Sequence, residues 1–204
     1  MLIDASSRPI HGSWTRTTDA IIEPIDIAQA VAWARLTDDD ANSNVLPTLI
    51  KAARQKIEED TGLALYTQTW TYAIDRIPAS RQIPLPIWPV QSVTSVTAYS
   101  PSDSGSVVST SVYRADTASQ PARVVLKENQ SWTSDVRPQD AFSIVFVAGW
   151  SDISAIPESL LVALRLLVGH WYEHRESVVV GTTTAQVELA YSHLIAPWKQ
   201  WWLL

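Results

Sequence analysis

The spacing of apolar residues changes period twice along this chain of 204 residues, and that limits the architectures open to it. From Val45 to Asp60, Leu46, Leu49, Ile50, Ala53 and Ile57 recur at helical spacing and form a single stripe. Lys51, Arg54, Gln55, Glu58 and Glu59 read as its solvent side. Asn44 is placed to cap the start, Pro47 is tolerated in the first turn, and Gly62 suits a left-handed residue that ends the helix. The period then drops to two. Trp70, Tyr72 and Ile74 alternate with Thr69, Thr71 and Ala73, which is the pattern of a strand. Further strand-like pieces lie at 83–85, 92–99, 107–114, 123–126 and 141–147, punctuated by Pro84, Pro86, Pro89, Pro101, Pro121 and Pro138. The last of them is apolar on both faces and should be the most buried. From Pro157 to about Glu176 the helical period returns. No helix-length pattern interrupts the strands. The expected fold class is therefore α+β, a small helical bundle with an antiparallel β-rich subdomain inserted between the long helices.

The flanks complete the outline. Residues 1–20 are polar, lack periodicity and read as a flexible N-terminal arm. Pro24 and Asp26 introduce a short helix to about Leu36, stopped by Asp38, Asp39 and Asp40. The organisation expected is an arm at 1–20, a helical part at 21–62 and a β-rich insertion at 63–150. A long helix completing the bundle follows at 151–180, and a C-terminal extension at 181–204. In that extension a connection through SVVVGTTTAQ leads to a short helix, 187–195. Trp198, Trp201, Trp202, Leu203 and Leu204 follow it. The three tryptophans share one face if the segment is helical, the anchor pattern of a helix lying in a partner's groove.

Composition excludes several classes. The net charge of −6 has the wrong sign for a protein that grips nucleic acid through phosphates. Without a cysteine there are no disulfides and no thiolate metal sites. The first residues carry no basic start and no apolar core of a signal peptide, and the stretch 160–172 is too short to span a bilayer. A protein made and kept in a reducing cytoplasm is the expectation. The six glycines are never clustered, which rules out a phosphate-cradling loop, and no nucleophile elbow exists. No constellation supports an enzyme, and no cofactor or metal is expected. His170 and His174, one turn apart with Glu173 between them, read as a structural pair at a helix C-terminus rather than metal ligands.

Two features point outward. Glu58, Glu59 and Asp60 crowd a helix C-terminus, where the macrodipole favours cations. Either solvent screens them, or a basic side chain of a neighbouring subunit answers Glu58 and Glu59. The long helix is apolar nearly all round, with Leu160, Leu164, Leu167 and Trp171 in one row and Leu161, Val168 and Tyr172 beside it. Such a helix is covered on more than one side. Its second side, with Arg165, Trp171 and Tyr172, is expected to meet another subunit. The ten tryptophans leave a different reading open, an aromatic-rich carbohydrate-binding or receptor-binding accessory module. That reading requires Trp70, Trp88, Trp132 and Trp150 to stand exposed on the sheet instead of filling its core.

Taken together, several stretches resemble the head–tail connector proteins of tailed phages. They are residues 24–36 with the three aspartates, then LIKAARQKIEEDTGLALYTQTWTY and IPLPIWPVQSVTSV. Tyr113-Arg114, ARVVL, FVAGW and IPESLLVALRLLVGHWYEHRES continue in the family's order, so the likeness runs over about 24–180. The resemblance implies a non-enzymatic head-to-tail adaptor of a phage or gene-transfer particle, sited at the virion neck. It implies a homo-oligomeric ring, typically of twelve copies, between the portal protein and a stopper or tail protein. DNA would pass through the ring without sequence-specific binding. It further implies that the C-terminal segment, Trp198, Trp201, Trp202, Leu203 and Leu204, reaches the portal.

Overall fold

The computed structural model describes residues 12–35, 44–78, 80–174 and 183–199. The chain is α+β and divides into two compact units. One contains Thr67–Ser151 and the strand that precedes Ile21. The other contains Ile21–Tyr66 and Asp152–Lys199.

The sheet unit is antiparallel throughout. Strands β1 (Gly12–Thr18), β2 (Gln68–Ile74), β3 (Gln82–Pro84), β4 (Val90–Tyr99), β5 (Gly105–Val107), β6 (Tyr113–Asp116), β7 (Arg123–Leu126) and β8 (Phe142–Ala148) form two sheets. The larger has the order β1-β2-β8-β4-β5 and the smaller β3-β7-β6. β8 lies at the centre, with Trp70 opposite Phe146, Tyr72 opposite Ile144 and Ile74 opposite Phe142. These residues face inward and are buried, while Ser143, Val145 and Val147 on the other face are half-buried. Trp132 stacks on Tyr113 at 6.2 Å and meets Phe142 edge-on at 6.1 Å, so one indole joins the smaller sheet to the larger.

Two features of this unit depart from the sequence reading. The expected strand 107–114 is two strands in different sheets. Between them the Ser109 hydroxyl bonds the Ser111 hydroxyl and accepts from its N–H, and Val112 N–H closes a turn onto the Ser109 carbonyl. Serine hydroxyls competing with the ladder in this way favour a turn over a strand. Residues 12–18, read as part of a flexible arm, form the edge strand β1 against β2. Six of its seven residues are exposed, so it carries no apolar alternation to read. The backbone ladder holds it, with Trp14 edge-on to Tyr72, Arg16 over the Trp70 ring, and hydroxyl to hydroxyl between Thr17 and Thr71. Gly12 is required there: a Cβ would sit 2.8 Å from the Tyr72 ring and 2.9 Å from the Ala73 carbonyl oxygen.

The helical unit is built from α1 (Ile27–Ala34), α2 (Val45–Thr61), α3 (Glu158–Glu173) and α4 (Thr183–Ile195). α1 opens with a capping box, in which the Asp26 carboxylate accepts from Gln29 N–H and the Gln29 side chain accepts from Asp26 N–H. α2 ends at Gly62, left-handed at φ 74°, as its sequence requires. Its start differs from expectation, for Asn44 makes no side-chain cap; instead the Thr48 hydroxyl donates to the Asn44 carbonyl. α3 is the hub: α1, α2 and α4 all pack on it. Its unusual apolarity is therefore largely answered within the chain. Leu160, Leu161, Ala163, Leu164, Leu167, Val168 and Tyr172 are buried.

Arg54 and Glu58, assigned to the solvent side of α2, are instead inside. The Arg54 side chain has 0% exposure; its Nε donates to Glu23 Oε2 at 2.7 Å and its Nη1 to Glu58 Oε2 at 2.9 Å. The second Glu58 oxygen accepts from Leu65 N–H at 2.9 Å. One buried guanidinium thus ties the segment before α1, the helix α2 and the turn after it. Removing one partner of such a buried pair leaves a charge without compensation, which costs about 3–5 kcal/mol. Arg54→Met is accordingly expected to lower unfolding free energy in urea by that amount. Glu59→Gln, one residue beyond Glu58 and exposed, should change it by less than about 0.5 kcal/mol.

Candidate assembly interface

Among the described residues, most of the exposed large apolar side chains belong to the helical unit. Ile21 is 90% exposed and Trp33 46%, with Ile22, Ile27, Val45 and Leu189 also in water. In the sheet unit, Trp14 and Val107 are the large apolar residues exposed among those described. Apolar patches of more than a few hundred Å² are rare on monomers and mark contact sites.

Arg165 lies beside Trp33. Its guanidinium donates to Glu158 Oε1 at 2.7 Å and lies over the Trp33 ring at 5.9 Å. Beside it Trp33, Ala34 and Arg35 of the α1 end face Leu166, Gly169, His170 and His174 of α3 across a cleft of about 350 Å³. A Cβ at Gly169 would meet the Ala34 methyl at an ordinary contact distance of 4.0 Å. The rings of His170 and His174 stack with centroids 4.6 Å apart. His174 Nδ1 lies 3.0 Å from the His170 carbonyl oxygen, and a carbonyl only accepts, so Nδ1 carries the hydrogen and is closed to a metal. Among the described residues no group of three or more His, Cys, Asp or Glu is placed to hold a metal ion. None of the described helices is long and apolar enough to cross a membrane.

The structure redistributes the residues expected at subunit contacts. Glu58 is answered by Arg54 of its own chain and is 5% exposed, so no neighbour is needed to neutralise it. Asp60 is likewise satisfied, by Lys56 and by the Tyr191 hydroxyl. Glu59 remains exposed. Tyr172 is buried among its own helices, whereas Trp171 is half-buried. Trp198 closes a short turn, Ala196–Trp198, after which the backbone is extended at Lys199, with ψ 127°. Its indole N–H donates instead to the Ser159 hydroxyl at 2.9 Å, which docks Trp198 on the first turn of its own α3. Trp201, Trp202, Leu203 and Leu204 lie outside the described residues. The four tryptophans on which a sugar-binding reading depended do not stand exposed on the sheet. Trp70 is buried, and Trp88, Trp132 and Trp150 are half-buried, Trp88 and Trp150 packing edge-on at 5.8 Å.

The short helix expected after Pro24 and Asp26 is α1; what the sequence did not announce is its exposure, for its eight residues, IAQAVAWA, carry no charge and only Ala30 is buried.

An antiparallel sheet unit and a helical unit with exposed apolar residues are what the described residues show. Residues 23–194 match the head completion protein family, and the chain belongs to it. It is a structural head-to-tail adaptor of that family. No curated protein matches the chain. Among solved structures, a chain in the neck of an empty GTA particle computed with C6 symmetry is similar at a TM-score of 0.74 and 23% identity. That match covers 92% of this chain and 95% of the other. A chain in the virion of a native gene transfer agent particle matches at 0.73 and 21% identity with the same coverage. One in the neck of a native GTA particle computed with C12 symmetry matches at 0.67 and 23% identity, over 91% of this chain and 95% of that one. At these identities the likeness is one of fold.

The seat of α4 gives a testable consequence. Burial, and then the hydrogen bond to Asp60, push the Tyr191 phenol well above its ordinary 10.0; burial alone pushes Tyr72 up to about 12. Both groups keep in the folded state a proton that the unfolded chain releases. Their contribution is complete below about pH 10 and falls as pH rises above it. Tyr191→Phe is expected to cost about 1–2 kcal/mol at pH 7, since the acceptor is charged. It should also make the loss of stability above pH 10 less steep in urea titrations. A slope equal to the parent's would contradict this coupling.

Proposed function

We propose that this chain forms a ring, of twelve copies, between the portal and the stopper or tail of a phage or gene-transfer particle. The ring extends the channel through which DNA passes. In this reading the chain is made in the cytoplasm of the bacterial host and works at the particle neck. Its work is mechanical: it supplies a platform and a passage, and no reaction. The observation that carries the reading is the extent of the fold likeness to neck chains, over nine-tenths of both partners, joined to family membership. The net charge of −6 fits a wall along which phosphates slide without being held. Residues 200–204, with Trp201, Trp202, Leu203 and Leu204, are assigned to the portal contact; buried aromatics are the anchors of strong interfaces. Glu59, Arg165 and the half-buried Trp171 are assigned to contacts between copies.

Deleting the gene is expected to leave DNA-filled heads without tails in electron micrographs of the producing cell's lysate. Normal tailed particles would overturn the function. Ending the chain after Lys199 tests the portal contact, since Trp198 and its bond to Ser159 are kept. The shortened protein should unfold at the parent's temperature and be missing from purified particles. Its presence there at parental level would remove the assignment of residues 200–204 and leave the function standing.

A further inference from the structure

The outer face of the larger sheet carries no charge. Its five strands hold one charged residue, Arg16, and that lies over the inward-facing Trp70 ring. A middle row crosses the face through Thr15, Thr71, Val145 and Ser95. The row nearer Gly12 passes through Ser13, Ala73, Ser143 and Thr97, and ends at Val107, which is 72% exposed. An antiparallel strand with one face in water alternates apolar and polar residues, whereas one covered on both faces is apolar almost throughout. The central strand β8 is of the second kind. Ile144 and Phe146 turn inward and are buried, while Val145 and Val147 turn outward and are only half-buried among the described residues.

The size of the face limits what covers it. Strands about 4.8 Å apart, rising about 3.4 Å per residue, give it about 19 Å by 20 Å, or about 400 Å². A stable interface takes about 800 Å² from each partner, so this face alone is too small to hold a second copy. A segment of the same chain needs far less, because its tether supplies an effective concentration in the millimolar range. Residues 1–11, MLIDASSRPIH, lead into β1 at the corner where Gly12 stands opposite Ile74. They contain Leu2, Ile3 and Ile10, and the charges of Asp4 and Arg8 cancel. Pro9 suits a change of direction. The stretch before it, residues 1–8, reaches about 27 Å when extended, more than the width to be crossed.

We propose that residues 1–11 fold back over the outer face of the larger sheet, with Leu2 and Ile3 lying on Val145 and Val147. The cover is apolar where β8 is apolar, and it brings no net charge to a face that has none to answer it. It gives β8 the second apolar neighbour that its sequence calls for. This contact does not rest on the ring proposed above, for it belongs to the single subunit before any partner meets it.

The chain has no cysteine, so one placed at position 145 is the only thiol. Val145→Cys is to be made in the full chain, once alone and once together with Leu2→Asp and Ile3→Asp. Its reaction with a maleimide is then followed on the dilute purified protein. The thiol should react at least tenfold faster in the variant carrying the aspartates, while both proteins unfold at the same temperature. Equal rates would overturn the proposal. So would protection that rises with protein concentration, because a second copy would then be the cover. If Val145→Cys unfolds below the parent's temperature, Ser143→Cys on the same face replaces it and reads the same contrast.

Discussion

Arg54 organises the helical unit because its charge has nowhere else to go. A guanidinium with no exposure must find carboxylates and fixed acceptors inside, and Glu23 and Glu58 supply them from either side. Glu58 in turn spends its other oxygen on the backbone N–H of Leu65. The segment leading into α1, the middle of α2 and the turn leaving it are thereby held in one arrangement. Apolar packing alone would tolerate several. A buried network of this kind is weak evidence for net stability and better read as a source of specificity. The placing of the segment that leads into α1 follows from it.

Around that constraint the helices share out one apolar surplus. α3 is greasy on almost every side, and three helices of the same chain cover it. Exposed apolar residues remain at α1, Ile21, Ile22 and Leu189. The sheet unit has the opposite character. Its large aromatics are turned inward or packed on one another, and its long edge strand β1 is polar and bulged between Arg16 and Thr18. Charged and irregular edges discourage unwanted strand pairing.

The parts legible in the sequence are those where local chemistry and tertiary structure agree. Gly62 ends α2 because only a left-handed residue closes that helix, and Trp70, Tyr72 and Ile74 alternate because β2 has one buried face. Where the parts disagree, the sequence misleads. Arg54 and Glu58 stand at an i, i+4 spacing that normally decorates a solvated face, and only burial by the rest of the unit reveals their role. β1 has almost no inward side chains, so its pairing is a matter of backbone ladder and of Gly12 allowing close approach to Tyr72. Trp198 could be read as part of a detached anchor because nothing in its neighbourhood announces Ser159, thirty-nine residues earlier in the chain, as its partner. The candidate interface was half legible: the family resemblance pointed to a ring and the apolar count of α3 to a neighbour, while α3 is largely covered by its own chain and the exposed apolar residues include Ile21, Ile22, Ile27 and Trp33 in and before α1.

The measurement that bears most directly on this account is cryo-electron microscopy of the neck in particles from the producing cell. The account expects a closed ring of copies of this chain between portal and tail, with its helical units in contact around the ring. A neck resolved to side chains in which this chain has no place would contradict it.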